Sequence, residues 1–166
     1  MTKPLDRRAF LTATAAGTAG LALFGCRGAT AAPAEHFAYQ LTDAQWHAKL
    51  PAAAYDVLRH EGTETPFSSP LNDEHRTGVF SCRGCGQHLY ASKTKFDSGT
   101  GWPSFWAPLA GAVATRNDGS LGMDRTEVHC TRCGSHQGHV FDDGPKPTGK
   151  RYCMNGVSMT FTPLKA

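Results

Sequence analysis

Cys130-Thr131-Arg132-Cys133-Gly134 repeats the pattern of Cys82-Arg83-Gly84-Cys85-Gly86, and these two segments decide the reading of the chain. A two-residue gap lets both thiolates of a pair face one point. Two pairs therefore supply the four soft ligands of one tetrahedral zinc ion. The glycine after each pair lets the backbone turn tightly while amides approach a thiolate. With all four positions filled by protein, the site is closed, and the metal is expected to be structural. It would stitch two distant segments together and contribute on the order of 10 kcal/mol to folding. Two alternatives are a pair of disulfides and a redox-active pair, but no thioredoxin-like βαβ pattern surrounds either segment.

Further along, Arg151-Tyr152-Cys153-Met154-Asn155 holds a thiol left over from the metal set. As a strand, period two puts Arg151, Cys153 and Asn155 on one face and Tyr152 and Met154 on the other. A cation beside a thiol favours the thiolate, the nucleophilic form. A buried, inert cysteine is the alternative. Directly after the second pair, His136, His139 and Asp143 offer groups for proton delivery; surface polar residues are the other reading. His139, Phe141 and Asp143 alternate onto one strand face. In Phe96-Asp97-Ser98-Gly99-Thr100-Gly101-Trp102-Pro103-Ser104-Phe105-Trp106, glycines and a Trp-Pro pair suggest a rigid loop that presents aromatic rings. Core packing is the alternative for each ring.

The chain of 166 residues suggests one domain, and its 40% hydrophobic content is enough for a core. With 18 glycines, 10 prolines and 19% charged residues, it reads as a loop-rich β protein rather than a helical bundle. Of its basic residues, Lys3, Arg7, Arg8 and Arg27 fall in the first 31 positions with one acid, Asp6, so the remainder balances to zero charge. No global basic field is left to recruit nucleic acid. Residues 1–31 read as an export signal. Asp6-Arg7-Arg8-Ala9-Phe10-Leu11 resembles a twin-arginine motif, an apolar run from Ala13 to Phe24 follows, and Ala29-Thr30-Ala31 fits a cleavage site. That run is too short for a typical spanning helix. Leu23-Phe24-Gly25-Cys26 is a rival lipoprotein-type site, which would anchor the chain to a membrane through Cys26. The expected location is thus the periplasm or cell envelope.

Residues 32–40 read as a linker and 41–166 as the domain. Thr42-Asp43-Ala44-Gln45 is a capping-box signature opening a helix to about Leu50. Pro51 starts a second helix, Ala52 to His60. Thr63 to Arg76 reads as a loop. Short strands are expected at Gly78–Ser81, His88–Ala91, Phe105–Ala107, Gly111–Arg116, Val140–Phe141 and Arg151–Phe161. Asn117-Asp118-Gly119 signals a hairpin returning along Leu121 to Cys130.

Several of these segments together resemble the type B methionine-R-sulfoxide reductases. They are Cys82-x-x-Cys85, Gly101-Trp102-Pro103-Ser104-Phe105, His129-Cys130-x-x-Cys133-Gly134, His136-x-Gly138-His139-Val140-Phe141, Asp143-Gly144-Pro145 and Pro147-Thr148-Gly149-x-Arg151-Tyr152-Cys153. The likeness runs from about Leu41 to Leu164. It implies a mostly β fold of two small antiparallel sheets with short N-terminal helices, a zinc site distal to the active site, and reduction of the R epimer of methionine sulfoxide in proteins. It implies Cys153 as nucleophile, Trp102 as the indole cradling the sulfoxide methyl, and His139 and Asp143 as groups that order water and protonate the oxygen. Arg151 would steady the thiolate, and His136 and Asn155 would form a polar wall. Oxidised proteins or peptides are the implied substrates, a thioredoxin-like or small-thiol reductant the implied partner, and a monomer the expected state. Three departures stand out. Thr100 occupies the position of a resolving cysteine in many members, and Met154 and Gly156 replace the usual Ile and Ser. A non-enzymatic zinc-ribbon binding module is the rival class, but it would not need Arg151, Cys153 and His139 together.

Overall fold

The computed structural model describes residues 35–165. The expected export signal at 1–31, with Cys26, lies outside them, as do residues 32–34 of the expected linker. Residues 37–40 lie against the second cysteine pair: the Phe37 ring sits edge-on to His129, and the Tyr39 amide donates to the Arg132 carbonyl at 2.9 Å. They are docked chain rather than a free connection.

Helix α1 (Asp43–Lys49) begins where Thr42 and Gln45 exchange side-chain and backbone hydrogen bonds, the expected capping box. Its one buried residue is Trp46. Helix α2 (Ala52–His60) follows Pro51 and buries Ala54, Val57 and Leu58, a spacing of three and four that makes one apolar stripe. It ends at Glu61, which adopts the left-handed conformation one residue before Gly62. No helix among the described residues is long and apolar enough to cross a membrane.

The rest is β. Strands β1 (Gly78–Cys82), β2 (His88–Ala91) and β9 (Met159–Pro163) form a three-stranded sheet in the order β2-β1-β9. Strands β3 (Lys95–Phe96), β4 (Ser104–Phe105), β5 (Val113–Asp118), β6 (Arg125–Cys130), β7 (His136–Phe141) and β8 (Arg151–Met154) form a six-stranded sheet in the order β3-β4-β8-β7-β6-β5. Every pairing is antiparallel.

The run expected as one strand from Arg151 to Phe161 is two. A 3-10 turn at Gly156–Ser158 breaks it, and its halves enter different sheets. The hairpin after Asn117 is also larger than a two-residue turn. Strand β5 continues through Asp118, a 3-10 turn covers Ser120–Gly122, and the return strand starts only at Arg125. Asp118 accepts from the Ser120 amide and so caps this wider turn.

The core lies between the sheets. Phe80, Leu89, Tyr90, Phe105, Val128, Met154 and Met159 are fully buried. Tyr90 stacks on Phe105 with ring centres 4.3 Å apart, and its hydroxyl donates to the Met154 sulfur at 3.1 Å. Met154 and Tyr152 therefore face the core, as strand alternation predicts, and Cys153 faces away.

Candidate active site and metal centre

Each cysteine pair forms the turn of a hairpin. β1 and β2 flank the first, β6 and β7 the second, and each leading strand shifts register just before its cysteine, between Phe80 and Ser81 and between Val128 and His129. The local bonding matches as well. The Cys82 and Cys130 amides donate to the carbonyls of Gln87 and Ser135, and the Gly86 and Gly134 amides donate back to the carbonyls of Cys82 and Cys130. Gly86 and Gly134 have φ of 78° and 68°, the left-handed conformation the sequence called for.

The two turns converge so that the sulfurs of Cys82, Cys85, Cys130 and Cys133 all lie within 4.8 Å of one another. Cys82 and Cys133 are 3.7 Å apart, and Cys85 and Cys130 are 3.6 Å apart. A zinc tetrahedron with bonds of about 2.3 Å has edges of about 3.8 Å. A disulfide would need about 2.05 Å. The donor set and spacing fit zinc, and the four thiolates form a closed structural site that joins the two sheets. Gln137 supports it from below, its amide donating to the Cys82 sulfur at 3.6 Å and to the Ser135 carbonyl at 3.1 Å.

Cys153 lies near the middle of the larger sheet. Ser104 on β4 and His139 on β7 are its register partners, Glu127 on β6 is opposite His139, and Arg116 on β5 is opposite Glu127. Opposed residues share a face, so these five side chains make one row across the sheet. The thiol opens into a cavity of about 130 Å³ lined by Thr63, Trp102, Arg125, His139, Phe141 and Asn155 among others. A larger cavity of about 660 Å³ lies between α2, the 63–71 loop and β9 and contains none of the sequence-selected site residues. The smaller cavity is the one that brings the sequence-selected Cys153, Trp102, His139 and Asn155 together.

Trp102 is held through Glu64, itself anchored at its carboxylate. Its indole N–H donates to the Glu64 carbonyl at 3.1 Å, and the Glu64 carboxylate accepts from the amides of Gly156 and Val157. Asn155 accepts from the Glu64 amide at 3.0 Å and donates to the Gln137 carbonyl at 3.3 Å. Gln137 thus connects the metal site to a wall of the Cys153 cavity. Phe105, by contrast, is a core residue.

His139 donates from Nε2 to Asp118 Oδ2 at 2.7 Å. Arg125 donates to the same oxygen at 2.7 Å, and Ser120 supplies a bond to the other. With the Ser120 bonds foremost and His139 next, the Asp118 carboxyl is held well below the usual range. It is therefore ionised and fixes the proton of His139 on Nε2. Burial lowers the pKa of His139 itself, against the hydrogen bond to Asp118 that raises it.

Asp143 lies past the end of β7, 62% exposed, and grips Arg151 through two bonds of 2.8 and 2.9 Å. That bond is the main cause of a raised Arg151 pKa, and the neighbouring Cys153 adds to it. Asp143 thus acts on Arg151 and does not line the cavity. His136 is 1% exposed and does not line it either. Its Nδ1 bonds Glu127 at 2.7 Å, and its ring meets that of His139 at 5.3 Å. Burial pushes the Glu127 carboxyl up, but His129, 3.7 Å away, the His136 bond and the charges of His136 and Arg116 more than offset it and hold it low.

Asp118, Arg125, Glu127, Thr63 and Glu64 were not singled out from sequence. Asp118 stands in the turn signal Asn117-Asp118-Gly119, which masked it as a turn residue. The register row shows why Glu127 matters, but the row exists only once the strands are paired.

A mostly β fold with a four-cysteine metal site and a half-buried thiol at the centre of its larger sheet defines a class of protein, and the sequence is similar to that of a known family. Residues 50–163 match the SelR domain model. Proteins named peptide methionine sulfoxide reductase MsrB are similar over most of the chain. That of Thiobacillus denitrificans is 54% identical over 74% of this chain and 93% of its own. That of Methanosarcina barkeri is 51% identical over 75% of this chain and 88% of its own. That of Leifsonia xyli subsp. xyli is 51% identical over 75% and 93%. The chain belongs to the SelR domain family, the MsrB-type peptide methionine sulfoxide reductases.

Proposed function

We propose that this protein is a peptide methionine sulfoxide reductase that acts on the R epimer, with Cys153 as its nucleophile. The observation that carries the reading is the Cys153 thiol at a small cavity walled by Trp102 and Phe141 on its apolar parts and by His139, Asn155 and Arg125 on its polar parts. A methyl sulfoxide has these two aspects, an apolar methyl group and a strongly hydrogen-bonding oxygen. Family membership supports the same reading.

In the reaction, the thiolate attacks the sulfoxide sulfur. The sulfur–oxygen bond of the substrate breaks as oxygen passes to Cys153. Thiol and sulfoxide become sulfenic acid and sulfide, with no other reagent consumed. His139, held by Asp118, moves the proton that the oxygen needs. Arg151, clamped by Asp143, holds positive charge beside the thiolate. Two equivalents of an external thiol, thioredoxin-like or small, then return the sulfenic acid to thiol, with water and a disulfide as products. The zinc site supplies structure and takes no part in these steps.

The protein acts as a monomer on oxidised proteins. Export is part of the proposal, supported by Arg7-Arg8 and the short apolar run after them. Mass spectrometry of the envelope protein should find Ala32, or an acylated Cys26, at its N-terminus, and intact Met1 there would contradict export. The reaction is tested by epimer-resolved chromatography of sulfoxide peptides. Consumption of the R epimer alone is expected, and equal consumption of both epimers would count against the assignment.

A further inference from the structure

Trp102 is a wall of two cavities. One holds Cys153. The other, about 170 Å³, is lined by Phe67, Phe96 and Pro103, with Asp73, Asp97 and Lys95 also around it. Lys95 is tied to the Asn72 carbonyl at 2.6 Å and feels both aspartates, which are exposed, and His75 also lines the cavity. The second cavity therefore has apolar walls and a rim of two carboxylates against one lysine, a net negative charge when His75 is neutral.

Phe67 is the unusual residue there. It is 73% exposed, and its φ is 62°, a conformation that non-glycine residues rarely adopt. A lone exposed phenylalanine is ordinary. An exposed one held in a strained backbone is not, because glycine or asparagine would relieve the strain and remove apolar surface from water. The strain is imposed by bonds. The Phe67 amide donates to the Gly101 carbonyl at 2.7 Å, and Asn72 donates to the same oxygen at 3.1 Å. Gly101, φ 94°, has no room for a Cβ, which would lie 2.8 Å from Pro66 and 2.9 Å from the Phe67 ring. The loop is pressed onto the residue next to Trp102, and the Phe67 ring lines the same cavity as the indole.

We propose that Phe67 and the cavity behind Trp102 form a subsite for the peptide chain of the substrate, taking an arginine or lysine two residues from the methionine sulfoxide. This rests on the function proposed above. Alternate side chains of an extended peptide lie about 7 Å apart on one face. That equals the span across one ring in van der Waals contact on both sides, about 3.5 Å each. Side chains i and i+2 thus straddle Trp102. The aliphatic stem of the basic residue packs on Phe67 and Phe96, and its cation reaches Asp73 and Asp97.

The test compares three oxidised peptides, with Arg, Leu or Glu two residues from the sulfoxide, and N-acetylmethionine sulfoxide, which is too short to reach the subsite. Wild-type kcat/KM should rank Arg above Leu above Glu. Phe67→Gly suits the backbone and should keep the fold, lower turnover of the Arg peptide roughly fivefold to tenfold, and leave the short substrate within about twofold. Phe67→Tyr should restore the preference, and the Asp73→Asn, Asp97→Asn double variant should narrow the gap between Arg and Glu. Equal loss on the short substrate and the peptides would overturn the subsite, since Phe67 would then only support Trp102. So would an absence of flank preference with normal turnover of the short substrate. Failure of wild type to turn over any sulfoxide would instead overturn the function itself.

Discussion

Thr100 Oγ1 lies 3.7 Å from Cys153 Sγ. Its hydroxyl continues into a chain, with Ser98 at 2.8 Å and Ser98 to Ser104 at 2.7 Å. At the position where the family resemblance implies a resolving thiol in many members, this chain places a hydroxyl against the Cys153 sulfur. It can hydrogen-bond a sulfenic acid but cannot form a disulfide with it. After one turnover, peptide mapping under non-reducing conditions should find Cys153 as sulfenic acid and in no intramolecular disulfide. Thr100→Cys should form a disulfide to Cys153, because the two atoms need to close by less than about 2 Å. A wild-type disulfide between Cys153 and any of the four metal-site cysteines would contradict the division between metal thiols and the reacting thiol.

Asp118 works against burial at His139. Burial, the largest influence, lowers the His139 pKa together with Arg125 and His136, whereas the hydrogen bond and charge of Asp118 raise it. The net direction is down from 6.5, so as the pH rises the imidazolium gives up its proton before pH 6.5 is reached. Asp118→Asn removes the raising contributions and should move the His139 limb of the kcat/KM profile to still lower pH. At neutral pH the rate should fall about tenfold to a hundredfold. Asp118→Glu should recover part of it. An unchanged profile in Asp118→Asn would show that the contact does not tune His139.

Much of this site could be read from the sequence, and the reasons differ by residue. The metal set was legible because two-residue spacing is a local property of the chain. Helix α1 was legible because its cap is also local. The opposite orientations of Cys153 and Met154 followed from strand alternation. Asp118 and Glu127 were not legible, because what gives them a role is cross-strand register. Asp143 and His136 were selected on residue type directly after the second cysteine pair, with their roles implied by the resemblance. Asp143 turns instead to Arg151, past the end of its strand, and His136 turns inward to Glu127. The change of sheet after Asn155 was invisible, since Arg151 to Phe161 has strand-like composition throughout.

Metal and fold should fail together. Binding of structural zinc is worth on the order of 10 kcal/mol, comparable with the whole net stability of a domain, about 5–15 kcal/mol. Cys130→Ser should therefore abolish zinc by elemental analysis and leave a chain without a cooperative thermal transition. Gln137→Met is a finer probe. It removes the amide that donates to Cys82 and the acceptor used by Ser158, so zinc affinity should fall roughly tenfold or more with the fold retained. A metal-free protein with normal melting would falsify the structural role.

Arg151 and Asp143 should behave as a unit. Asp143→Ala leaves Arg151, which is 12% exposed in its side chain, without its bidentate partner. Reductase activity should fall by about tenfold because the guanidinium is no longer held beside Cys153. Adding Arg151→Ala to Asp143→Ala should cost little more than Arg151→Ala alone, since each acts through the other. Steady-state kinetics of the two single variants and the double variant decide it, and additive losses would separate the roles.

The central claim is that Cys153 itself takes the sulfoxide oxygen. A peptide whose methionine-R-sulfoxide carries heavy oxygen, reacted for one turnover without reductant and quenched rapidly, should leave the heavy label on Cys153 as a sulfenic acid, in step with the sulfide formed. Sulfide formation with the label released to water and Cys153 unmodified, or undiminished turnover by Cys153→Ser, would contradict it.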